Sequence, residues 1–216
     1  MSENKQSIKK AIFVGNYEPR KCGIATFMTD LCESFALKFP DTICQVIPIT
    51  DIPEGYNYPK RVCFEIKEQE VDSYKRATEY INISNADVVC LQHEYGIFGG
   101  QAGSYILTLL RSIQTPVVTT FHTILEAPSA WQERVLKEIA ELSQTIVVMT
   151  KKSAELLKKR YNISEKKIQV IAHGIPEIEF IDPSFYKDQF AVEGKTVLLT
   201  FGLLSPNKGI EFVIRA

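Results

Sequence analysis

Between residues 87 and 123 the chain reads D-V-V-C-L-Q-H-E-Y-G-I-F-G-G-Q-A-G-S-Y-I-L-T-L-L-R-S-I-Q-T-P-V-V-T-T-F-H-T, and this stretch constrains the fold more than any other. Two short apolar runs, 88–91 and 117–121, each lead into a histidine, His93 and His122, with a glycine-rich loop and an apolar helix between them. Short apolar runs bounded by turn signals read as strands buried on both faces, the pattern of a parallel sheet. In an open parallel sheet, ligands bind beyond the carboxyl ends of the strands, where loops converge on a crevice. The stretch therefore predicts a binding or catalytic edge with His93 and His122 at neighbouring strand ends.

The rest of the chain repeats the same rhythm. An apolar run at 11–14 ends at Gly15, and after the loop N-Y-E-P-R-K-C-G a helical pattern starts at Ile24, its expected buried stripe being Phe27, Met28, Leu31, Phe35 and Leu37. Strands follow at 42–49 and 62–66, then a helix over 68–83 that buries Val71, Tyr74, Ala77 and Ile81. After the central stretch come a helix at 128–142, with Trp131, Val135, Ile139 and Leu142 as its apolar stripe, a strand at 145–149, a helix at 151–161 and a strand at 168–171. Strands alternating this regularly with helices imply a Rossmann-like α/β fold, a parallel sheet with helices on both faces joined by right-handed crossovers.

The rhythm stops after H-G-I-P. Residues 1–175 then form one domain, 176–194 an aperiodic linker, and 195–216 the start of a second Rossmann-like domain whose first strand is 196–201. One strand and part of a helix do not make a domain, so the chain reads as part of a longer protein.

With 25 basic and 26 acidic residues there is no net field to gather nucleic acid, and no nucleic-acid partner is expected. The charge run K-K-S-A-E-L-L-K-K-R reads as a solvated helix face. Five cysteines in no CxxC pair argue against a disulfide framework and a zinc site. The first ten residues lack the apolar segment of a signal peptide, and a cytoplasmic location is expected.

The loop 15–23 carries Arg20 and Lys21 and ends at Gly23, where backbone amides at a helix start are open to an anion. On its residues alone the loop reads first as a basic surface turn, and it lacks the GxGxxG of a dinucleotide-binding turn. Glu94 and Tyr95 follow His93 in Q-H-E-Y-G-I-F-G-G, which either lines a ligand site or simply reverses the chain.

Four separated segments then resemble one family: G-N-Y-E-P-R-K-C-G-I-A, T-F-H-T, I-Q-V-I-A-H-G-I-P and F-G-L-L-S-P-N-K-G-I-E-F-V-I-R-A. In this order they resemble the two-domain glycosyltransferases of GT-B fold, in particular the retaining family-four enzymes, which include many bacterial mannosyl- and glucosyltransferases. The resemblance implies transfer of a sugar, with retention of configuration, from a nucleotide-diphosphate sugar to a saccharide or lipid-linked acceptor. It implies no metal and no other cofactor; peripheral membrane contact of the full-length protein stays open.

In residues, the resemblance implies that Gly23 and its loop approach the donor diphosphate and that His122 contacts the transferred sugar. It also implies that Lys208, followed by Gly209, binds the leaving diphosphate. The family arginine after Gly202 is replaced here by Leu203, a loss that Arg20 or Lys21 would have to offset. The family's paired-glutamate motif does not occur before residue 216, so the segment alone is expected to be inactive. Two alternatives stay open: a noncatalytic carbohydrate-binding or regulatory domain, and a nucleotide-sugar epimerase of the same fold.

Overall fold

The computed structural model describes residues 7–175, 179–202 and 209–216. They fall into two compact units, Met1–His173 and Gly174–Ala216.

The first unit runs β1 (Lys10–Gly15), α1 (Gly23–Lys38), β2 (Ile43–Thr50), β3 (Ile66–Lys67), α2 (Val71–Ile83), β4 (Val88–His93), α3 (Ile106–Leu110), β5 (Val117–Phe121), α4 (Ala130–Leu142), β6 (Thr145–Val148), α5 (Lys151–Lys159) and β7 (Ile168–Val170). All neighbouring strands pair in parallel, in the order β3-β2-β1-β4-β5-β6-β7. The chain thus builds outward from β1 in one direction, then returns and builds outward from β4 in the other. This is the doubly wound Rossmann-like arrangement, and its switch point lies between β1 and β4.

Successive strand residues face opposite sides of a sheet, and the core divides accordingly. Ala11, Phe13, Cys44 and Val46 pack with Met28 and Cys32 of α1. Ile12, Val14, Ile47, Ile49, Val89 and Leu91 pack on the other side in a larger cluster that includes Tyr74, Ala77 and Ile81 of α2. Helices therefore cover both faces, and each fully buried large side chain contributes roughly 1.5–3 kcal/mol.

Several expected details shift. In α1 the buried residues are Ala25, Met28 and Cys32, while Leu37 is 86% exposed. Five positions past Cys32 is about 500° of helical rotation, which turns Leu37 away from the sheet. In α4, which starts with a capping box between Ser129 and Gln132, the buried residues are Val135, Leu136, Ile139 and Ala140. Trp131 sits in the first turn, 43% exposed, with the Arg134 guanidinium 5.6 Å from its ring centre. The expected strand at 62–66 is reduced to a bridge between Val62 and Val46 and the two-residue β3.

The second unit contains α6 (Pro183–Gln189) and α7 (Ile210–Arg215). The expected linker thus includes a helix, whose start is marked by Asp182 accepting from the Ser184 N–H and by Pro183 in the first turn. Residues 196–201 form no strand, and Leu198 and Leu199 are 83% and 77% exposed. A buried parallel strand needs hydrogen-bonded neighbours, which the described residues of this unit do not provide. Leu203 and Lys208 lie outside the described residues; Gly209 is described, in left-handed backbone at φ 67° ahead of α7. Among the described residues no helix is long and apolar enough to cross a membrane.

Candidate functional site

At the switch point the end of β1 meets β4. Gly15 is required there for space: a Cβ on it would stand 2.9 Å from Cβ of Gln92 and 3.2 Å from Sδ of Met28. The glycine that ends the first apolar run is what admits the Gln92 side chain.

Strands β4 and β5 pair with Gln92 opposite Thr120 and His93 opposite Phe121. Paired residues of a parallel ladder share a face, so alternation assigns Gln92, Thr120 and His122 to one side and His93 and Phe121 to the other. The contacts agree. The His122 ring packs edge-on against Phe27 of α1, centroids 4.8 Å apart, and Phe27 in turn meets His173 at 5.0 Å. The His93 ring packs among Tyr95, Phe98 and Phe121.

The two imidazoles consequently live in different media. His122 is partly exposed, just past the end of β5, and its Nε2 is 2.9 Å from Oε1 of Gln92. Burial, then the neighbouring His173, lowers its pKa to about 4, so it is neutral at pH 7. It can exchange hydrogen bonds with hydroxyls but offers no positive charge to a phosphate.

His93 is the last residue of β4, fully buried, and among the described residues neither ring nitrogen has a hydrogen-bond partner. Burial, followed by His122, pushes its pKa down to about 3. A ring so enclosed is out of reach of a ligand arriving from solvent, which takes the His93 side chain off the binding edge expected from sequence. Glu94 and Tyr95 are half-buried beside it. One Glu94 oxygen accepts from the Thr123 hydroxyl at 2.5 Å and the other from the Tyr95 N–H at 2.9 Å, tying the loop after β4 to the loop after β5.

The glycines of this loop answer to packing. A Cβ on Gly99 would approach the Glu68 carbonyl oxygen to 2.0 Å, and Gly100, at φ 78°, lies against the Tyr105 ring. Tyr74 clamps the same place, donating to the Glu68 carbonyl at 2.9 Å and accepting from the Gly99 N–H at 3.1 Å.

Arg20 is directed inward rather than at a diphosphate. Its guanidinium pairs with Asp51 at 3.2 Å and Glu68 at 3.5 Å and donates to Asn16 and to the Ile49 carbonyl, both at 3.2 Å. These carboxylates make the surroundings of Arg20 a poor place for a second anion. Lys21 and Gly23 are exposed, and among the described residues a Cβ on Gly23 would meet nothing within 4 Å. Cys22 caps α1, its sulfur accepting from the Ala25 N–H at 3.3 Å and from Asn16 at 3.2 Å. Among the described residues no three His, Cys, Asp or Glu side chains group as a metal site would require.

Gln92 and Phe27, which position His122, escaped the sequence reading. Strand parity places Gln92 on the face of Cys90, but a strand buried on both sides gives no sign of which face that is.

Residues 51–177 match the family model described as Glycosyltransferase Family 4. Among solved structures, the chain is similar to an alpha-glucosyltransferase in complex with UDP and a 13-mer DNA containing a central A:G mismatch, at 15% identity and a TM-score of 0.46. That similarity covers 67% of this chain and 38% of the other, so the chain spans well under half the length of that structure. No curated protein matches.

Proposed function

The chain belongs to glycosyltransferase family 4, and from that premise we propose that the edge around His122 holds the sugar of a nucleotide-diphosphate donor as it is transferred, with retention, to a saccharide or lipid-linked acceptor. The observation that carries this reading is a half-buried, neutral imidazole just past the end of β5, one strand from the switch point of the sheet.

Cleavage of the bond between the anomeric carbon and the phosphate oxygen leaves negative charge on the diphosphate and positive charge on the sugar ring. Groups fixed in place before the reaction, rather than reoriented during it, contribute most to lowering such a barrier, on the order of 3 kcal/mol per well-placed donor. A neutral imidazole suits the sugar side: it fixes a hydroxyl without adding positive charge where positive charge is developing. On the phosphate side the candidates are Gly23 with Lys21 at the start of α1, and Lys208 with Gly209; Arg20 is committed to Asp51 and Glu68. Glu94, Tyr95 and the loop after β4 are the candidate acceptor surface. No metal or other cofactor enters this reading.

The test is a donor screen on the full-length protein that contains this chain, with nucleotide diphosphate release followed in the presence of saccharide acceptors. Release that requires an acceptor, with the anomeric configuration kept in the product, supports the reading. Carbohydrate binding with no release from any donor overturns it in favour of a binding domain.

A further inference from the structure

We infer that Gln92 is a positioning residue, which holds His122 as the neutral tautomer protonated on Nε2 and leaves Nδ1 as the hydrogen-bond acceptor offered to a sugar hydroxyl. The inference rests on the reading of His122 given above.

Oε1 of Gln92 faces Nε2 of His122 at 2.9 Å, and in that orientation of the amide, in which the oxygen can only accept, the contact is a hydrogen bond when Nε2 carries the proton. In a neutral imidazole the other nitrogen then holds a lone pair. Gln92 is itself 1% exposed, so water does not compete for the pair, and Gly15 leaves the space into which its side chain fits. Phe27 closes one side of the imidazole edge-on and limits its rotation. The backbone is fixed as well, the His122 N–H donating to the His93 carbonyl at 3.0 Å. Gly15, Gln92 and His122 thus form a line across β1, β4 and β5 from the switch point to the sugar-facing ring.

Among the described residues, the groups around His122 include a neutral amide, an aromatic ring and a second imidazole. From β4 it meets the amide of Gln92 and from α1 the Phe27 ring; beyond β7 lies His173, whose charge would oppose protonation. Glu94, next to His93, is bonded to the Thr123 hydroxyl and to the Tyr95 N–H.

Long-range proton–nitrogen correlation spectra of the 15N-labelled chain read the tautomer directly, with His122→Ala identifying the signals. The expected spectrum shows His122 protonated on Nε2. In Gln92→Met that preference is lost, and in Gln92→Glu the pKa of His122 rises by about one unit or more, because a carboxylate replaces the amide oxygen. A wild-type ring protonated on Nδ1 overturns the inference even if every variant fails to fold. So does an unchanged tautomer in a Gln92→Met protein whose His93 and His173 signals stay in place. The readout needs no turnover: an Nε2–H ring together with full transfer activity in His122→Ala would sink the transferase role of His122 and leave the positioning intact, and the reverse pair of results would do the opposite.

Discussion

The backbone N–H of His122 donates to the carbonyl of His93 at 3.0 Å, yet the two rings leave the sheet on opposite faces. Adjacent strands, paired with His93 opposite Phe121, bring the two residues side by side, and the two-residue period separates their fates. One imidazole is core; the other is held by Gln92 beside α1.

That separation predicts an acid sensitivity. In the unfolded chain both histidines titrate near pH 6.5, whereas in the folded chain burial lowers His93 to about 3 and His122 to about 4. The unfolded state therefore takes up protons first, and the stability from neutral rings, complete above pH 6.5, is lost as pH falls through that window. Between pH 7 and pH 5 the His93 contribution alone is about 2 kcal/mol. His93→Phe, which keeps an aromatic ring and removes two buried nitrogens without partners, should flatten the profile. It should also match or exceed wild-type stability at pH 7. Urea unfolding at pH 7, 6 and 5 checks both statements, and an unchanged pH slope in the variant contradicts them.

Arg20 should behave as a strut. Arg20→Met strips the guanidinium from Asp51 and Glu68 and removes the donor to the Ile49 carbonyl. The expected loss is about 1–3 kcal/mol, read as a lower urea midpoint at unchanged slope. If Arg20 instead gripped the donor, stability would hold and KM for the donor would rise.

The glycines divide by what surrounds them. Gly99→Ala places a methyl group against the Glu68 carbonyl and should cost on the order of 3 kcal/mol or prevent folding. Gly23→Ala meets open space at the first position of α1 and should be neutral or stabilising by up to about 1 kcal/mol. Thermal melts of the two variants give the contrast; equal losses would show that the loop after β4 does not pack as described.

Much of the sheet was legible in the sequence because each buried strand is a short apolar run closed by a polar or glycine signal, as at 11–14 and 117–121. His122 stood out because it follows such a run directly. The weakness lay in side-chain direction. A strand buried on both faces shows no alternation, so nothing in V-V-C-L-Q-H marks which side Gln92 and His93 face, and the buried histidine looked like the exposed one. The ion pairs of Arg20 are not legible for a related reason: its partners Asp51 and Glu68 are distant in sequence and meet it only because β1, β2 and β3 end side by side. The helix at Pro183–Gln189 did carry a readable signal in Asp182–Pro183, but too few residues follow for a periodic stripe.

Steady-state kinetics of His122→Ala in the full-length protein test the account most directly, because the account gives this ring a role on the reacting sugar and little role in the core. The predicted result is a kcat lowered by about 100-fold in a protein that still folds, its stability reduced by about 1–3 kcal/mol because buried Gln92 loses its partner. A variant that transfers sugar at the wild-type rate would contradict it.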